Sequence, residues 1–172
     1  MERKIVMGER WKEWAKSAVQ AAVVVAVLYF VFFPVKIQGE SMENSFHDGD
    51  RVAVSRLLAV AGKVNYGDVV VFSRGDIAEG KDLIKRVIAL SGDQIIIEDN
   101  HVQVNGVILF EDYVLGSTDG AVCITVPEDC VFVMGDNRAH SMDSRQFGVI
   151  KKDLIKARVV AKLYPFDELS FL

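Results

Sequence analysis

The sequence predicts a mainly β protein: one N-terminal transmembrane helix, then an antiparallel β-sheet domain with a small β cap. Three observations point there. From Ser17 to Val35 nineteen consecutive residues carry no charge. After Pro34 the continuous apolar pattern gives way to short alternating pieces, the period of half-buried strands. The turn signals Asp48-Gly49-Asp50, Tyr66-Gly67-Asp68 and Ser91-Gly92-Asp93 separate those pieces. The 172 residues suffice for one domain of ordinary size plus an anchor.

As a helix the uncharged run is about 28 Å long at ~1.5 Å per residue, close to the ~30 Å hydrocarbon core of a bilayer. It ends in Phe32-Phe33-Pro34, bulky where a leader-cleavage site needs small residues, so it reads as an uncleaved anchor. Residues 1–16 carry Arg3, Lys4, Arg10, Lys12 and Lys16 against Glu2, Glu9 and Glu13. The positive-inside rule keeps that end in the cytoplasm, with Trp11 and Trp14 in the headgroup layer. The expected plan is therefore a cytoplasmic 1–16, a single span over 17–35 in the cell membrane, and an extracytoplasmic 36–172. From Lys36 onward fifteen cations face twenty-one acids, a net charge of −6. An acidic exterior domain gives no reason to expect nucleic acid as a partner.

Arg51–Ser55, Val69–Phe72, Leu83–Leu90, Gln94–Glu98, His101–Val104, Val107–Leu109, Val131–Met134 and Arg158–Tyr164 read as strands. Asn105-Gly106 between two of them is a strong hairpin signal. Lys152–Ala157 reads as a short helix. Residues from about 94 to 129 read as the cap, inserted between two motif-bearing strands. Six residues, Pro127 among them, separate Cys123 from Cys130. A hairpin disulfide and a pair of half-buried thiols are both open. Their spacing is not that of a zinc site, and no metal or cofactor is implied.

Lys85 is the first residue that demands chemistry. By alternation it shares a strand face with Leu83, Val87 and Ala89, and the other face is apolar apart from Arg86. A buried ammonium must be paired or lose its proton. A free lysine at pKa ~10.4 is neutral in about four molecules per ten thousand at pH 7. Lowering that value to about 7 costs roughly 4–5 kcal/mol, within reach of desolvation. The neutral amine can then take a proton from a serine hydroxyl. Taken alone, the strand favours a lysine that snorkels or pairs with an acid; other residues reverse that.

Ser41 lies just beyond the anchor, in Gly39-Glu40-Ser41-Met42. Gly39 allows close backbone approach, and Gly-x-Ser brings two backbone N–H groups near a reacting carbonyl. The block Gly135-Asp136-Asn137-Arg138-Ala139-His140-Ser141-Met142-Asp143-Ser144-Arg145-Gln146-Phe147-Gly148 follows a strand and is too rich in hydrogen-bonding groups to be core. Asp143 and Arg145 fit a bidentate pair, and Ser141 could bond to the Lys85 amine. His47, six residues past Ser41, is a weaker candidate base because His47-Asp48-Gly49-Asp50 reads as a turn.

These residues, in this order, resemble the bacterial type I signal peptidases, membrane-bound Ser/Lys enzymes that remove signal peptides from exported proteins. The resemblance runs from the anchor through Ser41-Met42, Gly67–Phe72 and Lys85–Asp93 to the Gly135–Gly148 block. The small size and single anchor are similar to the short Gram-positive members. The resemblance implies a signal-peptidase-like fold, Ser41 as nucleophile, Lys85 as general base and Ser141 as the residue that orients the amine. It implies supporting roles for Gly39 and Met42, and structural ion pairs Arg86–Asp136 and Asp143–Arg145. It implies a cleft for an extended peptide with small residues at P1 and P3, cleavage of the Ala-x-Ala type, and no cofactor. The implied partners are preprotein signal peptides, the lipid bilayer and the protein-export machinery.

Two departures from the family pattern matter. Relatives usually carry Ser-Met-x-Pro-Thr-Leu; here Asn44 replaces the proline and Ser45 the threonine. Proline fixes φ near −65°, so asparagine is expected to loosen the loop. Gly39 stands where some relatives have a serine hydroxyl in the oxyanion hole, so the Ser41 N–H must act with another donor. The alternative function is a catalytically weak or inactive paralogue that binds exported proteins or assists their assembly.

Overall fold

In the computed structural model, residues 2–57, 64–78 and 81–171 are described, with side chains for 11–26, 31–57, 64–77 and 81–171. The side chains of Glu2, Arg3, Lys4, Glu9 and Arg10, counted above in the charge bias, lie outside that set. The chain divides into two compact units, one up to Phe33 and one from Pro34.

The first unit is essentially one helix, α1 (Glu2–Val31). It starts earlier than the expected span, since the charged segment is helical too, and it stops at Val31 rather than Val35. Pro34 explains the stop: it has no N–H to donate and disfavours helical geometry at Phe33. Phe32–Lys36 forms strand β1 instead. Among the described residues, no helix is long and apolar enough to cross a membrane.

The second unit is built of antiparallel β structure, as expected. Its strands are β2 (Arg51–Ser55), β3 (Val69–Ser73), β4 (Asp82–Ala89), β5 (Gln94–Glu98), β6 (His101–Val104), β7 (Val107–Ile108) and β8 (Val122–Thr125), followed by β9 (Cys130–Met134), β10 (Ile150–Lys151), β11 (Ile155–Tyr164) and β12 (Ser170–Phe171). The larger sheet runs β1-β2-β11-β3-β4-β9-β10, with β12 also on β11. A second sheet runs β7-β6-β5-β8 and falls within the segment expected as a cap. At the β6–β7 turn Asn105 and Gly106 both have positive φ, 54° and 79°, as a two-residue hairpin requires.

Burial explains why β3 and β4 are apolar on both faces. They sit in the middle of the larger sheet, where β4 contributes to a core on each of its faces and β3 to the second of them. Ile88, Phe132 and Met134 pack with Ile95, Ile97, Val102 and Val104 of the smaller sheet. Val70, Val87, Val131 and Val133 pack with Phe72, Ile150 and Ile155. Lys85 pairs with Val70, and Arg86 with Met134, so the two cations project toward different cores. A register shift between Val87 and Ala89 places Ala89 with Ile88 in the first core rather than on the Lys85 face.

One local expectation changes and one open question closes. Lys152–Ala157 is not a helix: a 3₁₀ turn covers Lys152–Leu154, and β11 begins at Ile155. Ile155, Ala157 and Val159 are buried in alternation, so the period is that of a strand. Cys123 and Cys130 make no hairpin. Cys123 sits on β8 opposite Ile96 and Cys130 on β9 opposite Lys151, and both are free thiols.

Candidate active site

The loop between β1 and β2 carries Ser41. Gly39, at φ 90°, turns the chain where an L side chain would be strained. Its N–H donates to Asp48 Oδ1 at 2.9 Å. That N–H is therefore engaged, and of the two expected oxyanion donors only the Ser41 N–H remains without a partner among the described residues. The Ser45 and Phe46 N–H groups donate to Met42 O at 3.1 and 2.8 Å, closing a tight turn. Met42 and Phe46 are both fully buried and pin the turn from beneath. The Ser41 carbonyl accepts the Asn137 N–H at 3.2 Å.

Lys85 enters from the middle of β4. Its Nζ lies 2.7 Å from Ser41 Oγ and donates to the Ile84 carbonyl at 3.0 Å. The residue is only 3% exposed. Burial pushes its pKa down to about 8, partly opposed by the charges of Asp143 and Asp136. Two residues 44 apart in sequence thus form one hydrogen-bonded pair with a base that is neutral in about one molecule in eleven at pH 7 and in half at pH 8.

The Gly135–Gly148 block shapes the surroundings. Arg86 grips Asp136 in a bidentate pair, Nε to Oδ1 at 2.9 Å and Nη2 to Oδ2 at 2.7 Å. Arg145 grips Asp143 likewise, at 2.9 Å on both oxygens. Asp143 also accepts the Gly135 N–H at 3.0 Å and caps the single helical turn Ser144–Phe147. Ser141 is brought in but does not touch the amine: its Oγ is buried and makes no hydrogen bond among the described residues. The expected Ser141–Lys85 bond is not formed; the amine's hydrogen-bond partners are Ser41 Oγ and the Ile84 carbonyl. Asn44 also departs from expectation. It adopts φ 87°, which proline cannot reach, and its Nδ2 donates to Tyr113 O at 3.1 Å. The loop is tied down rather than loosened.

Gly135 went unnoticed as a site residue. A Cβ there would overlap Ser141 Oγ and Cβ and the Ser41 carbonyl oxygen, so only glycine lets the end of β9 pass beneath the Ser41 loop. The position of a glycine directly after a buried strand was the signal. In sequence Asp48 is only a turn residue, and Tyr113, Glu111 and Arg138 carry no signal as a group. His47 does not serve Ser41; its backbone N–H donates to Asp50 at 2.8 Å and its ring faces the same carboxylate. Among the described residues, no group of three His, Cys, Asp or Glu side chains is placed to hold a metal.

A cleft of about 300 Å³ runs between Val35–Gln38 and Lys81–Ile84, with Val71 at its floor. Ile84, the residue before Lys85 on β4, is part of its lining. A serine hydroxyl in hydrogen-bond contact with a buried amine is the make-up of a serine hydrolase.

Comparison with known proteins agrees. The family described as "Signal peptidase, peptidase S26" matches residues 11–164. The chain is 34% identical to signal peptidase I S of Bacillus subtilis, over 91% of each chain. It is 31% identical to signal peptidase I of Bacillus caldolyticus over 99% of this chain and 98% of that one, and 32% identical to signal peptidase IB of Staphylococcus aureus over 92% of each. A crystal structure of a signal peptidase I from Enterococcus faecalis matches 55% of this chain and 94% of that one, at 30% identity and a TM-score of 0.49. The chain belongs to the signal peptidase family, and it is a serine endopeptidase of the signal peptidase I type.

Proposed function

We propose that this enzyme is anchored in the cell membrane by a single N-terminal segment and removes signal peptides from exported preproteins, with Ser41 as nucleophile and Lys85 as general base. The 2.7 Å contact between Lys85 Nζ and Ser41 Oγ carries this reading. Neutral Lys85 takes the Ser41 proton as Oγ attacks the scissile carbonyl carbon. The Ser41 backbone N–H faces the oxyanion, and the Lys85 ammonium returns its proton to the leaving amine. Water then attacks the ester, with Lys85 again taking the proton, and Ser41 is regenerated.

The cleft beside β4 suits an extended peptide that pairs with backbone at a strand edge. Its modest volume favours small side chains near the scissile bond, the Ala-x-Ala pattern. The uncharged segment 17–35, with Ser17–Val31 in α1, supports the anchor, and the basic bias of residues 1–16 supports a cytoplasmic N-terminus with 36–172 outside. Anchoring enzyme and preprotein in one bilayer raises their effective concentration and brings the enzyme near the export machinery. An inactive binding paralogue is not favoured, since the pair of side chains that turnover needs is intact and in contact.

The test is a pH–rate profile for cleavage of a preprotein bearing Ala-x-Ala. The acidic limb of kcat/KM rises through about pH 8, because the base acts only when neutral. Ser41→Ala and Lys85→Ala each lose at least about a thousandfold in kcat. Substantial turnover in either variant rules the pair out.

A further inference from the structure

The nucleophile loop is held from outside its own motif. Asn44, three residues past Ser41, sits at φ 87°, a conformation asparagine tolerates better than most residues. Its amide reaches Tyr113 O across 69 residues of sequence. Tyr113 is itself clamped. The Arg86 guanidinium carbon lies 4.1 Å from the centre of its ring, and its hydroxyl donates to Glu111 Oε1 at 2.7 Å. Glu111 Oε1 also accepts from Arg138 Nη2 at 2.6 Å, and Arg138 Nε donates to the Gly135 carbonyl at 3.0 Å. Arg86 Nη2 donates to Ser45 Oγ at 3.0 Å. One end of the turn is therefore fixed through the Ser41 carbonyl on Asn137, and the other through Asn44 and Ser45 on Tyr113 and Arg86.

We propose that Tyr113 is a positioning residue for the reaction: its carbonyl and its ring hold the Asn44 corner and so keep Ser41 Oγ against Lys85 Nζ. The proposal rests on the reading of Ser41 as nucleophile. Tyr113 does not line the cleft beside β4, so its loss alters the approach of the hydroxyl to the amine rather than the hold on peptide. A displacement of about 1 Å in such a constellation costs as much as a hundredfold in rate.

The test compares kcat and KM for an Ala-x-Ala precursor peptide in Asn44→Gly, Tyr113→Ala, Tyr113→Phe and the double variant, with thermal unfolding of each. Asn44→Gly permits the positive φ but removes the donor; kcat falls about tenfold with KM within about twofold. Tyr113→Ala falls at least as far, and Tyr113→Phe, which keeps ring and main chain, returns to within about threefold of the parent enzyme. The double variant is no slower than Tyr113→Ala, because both changes act through one tether. Parent-like kcat in Asn44→Gly overturns the proposal, as does a loss carried by KM or a Tyr113→Phe as slow as Tyr113→Ala. Should Tyr113→Ala fail to fold, Asn44→Gly and Tyr113→Phe still decide it. Ser41→Ala separates the two levels: if it keeps turnover the nucleophile reading fails, whereas an inactive Ser41→Ala beside a parent-like Asn44→Gly removes only the role of Tyr113.

Discussion

Lys85 and Arg86 are neighbours on one strand, both nearly buried, at 3% and 8% exposure, yet they meet opposite fates. Arg86 faces Asp136 and places two more donors on Gly67 O and Ser45 Oγ. Burial alone pushes its pKa down, but the Asp136 hydrogen bonds and charge outweigh that and raise it. Lys85 faces an alcohol and a carbonyl, with Asp143 and Asp136 near enough to be felt but not bonded to it. Its pKa falls. Burial sets the same problem for both, and the presence of a hydrogen-bonded carboxylate decides whether the buried group is a fixed charge or a base.

The largest break in that comparison is removal of the carboxylate from Arg86. Asp136→Ala leaves a buried guanidinium unpaired and destabilises the fold by about 3–5 kcal/mol in denaturant unfolding. A loss below ~1 kcal/mol shows that Arg86 does not depend on the pair.

The opposite change sharpens it. Lys85→Met abolishes turnover but stabilises the protein at pH 7. Lys85 titrates at about 8 when folded, against 10.5 unfolded. Below about pH 8 both states bind the proton and the folded state bears the whole desolvation cost; above 10.5 neither does and the cost is gone. Parent stability therefore rises with pH between those values, and the advantage of Lys85→Met, up to about 3 kcal/mol, fades over the same window. Unfolding curves at pH 7 and pH 10.5 check it, and a variant less stable than the parent at pH 7 contradicts it.

The smallest effect lies at the surface. Lys156 pairs with Asp82 at 2.6 Å, a distance as short as any in the site, but both side chains are about half exposed. Lys156→Ala changes stability by only about 0–1 kcal/mol, less at high salt. A larger, salt-independent change means that distance rather than burial governs these pairs.

Much of this was legible in the chain. A lysine among Leu83, Ile84, Val87 and Ile88 poses the question of a desolvated amine, which Ser41 and the Gly135–Gly148 block then answer, and a charged block after an apolar strand points to a structured loop. The bidentate pair Asp143–Arg145 and the Asn105-Gly106 turn formed as the residue types suggested, and Arg86–Asp136 formed as the family resemblance implied. Misreadings came where local pattern and long-range pairing compete. Phe32–Val35 continues an apolar run, yet it leaves the helix at proline and lies beside β2. Ile155–Ala157 can be written as helix or strand, and pairing with β3 chose strand. Asn44 was read through the proline it replaces, although its own conformation and its bond to Tyr113 tether the loop.

The sequence by itself determined which groups would be buried and which chemistry that burial favours, because hydrophobic periodicity and residue type are local properties. Only the tertiary structure decided which partner each buried group meets. Ser41 and Lys85 are joined across 44 positions, Asn44 and Tyr113 across 69, and Gly135 passes under Ser41 where a single methyl would collide. Such meetings depend on strand order and register, which no stretch of the chain carries alone.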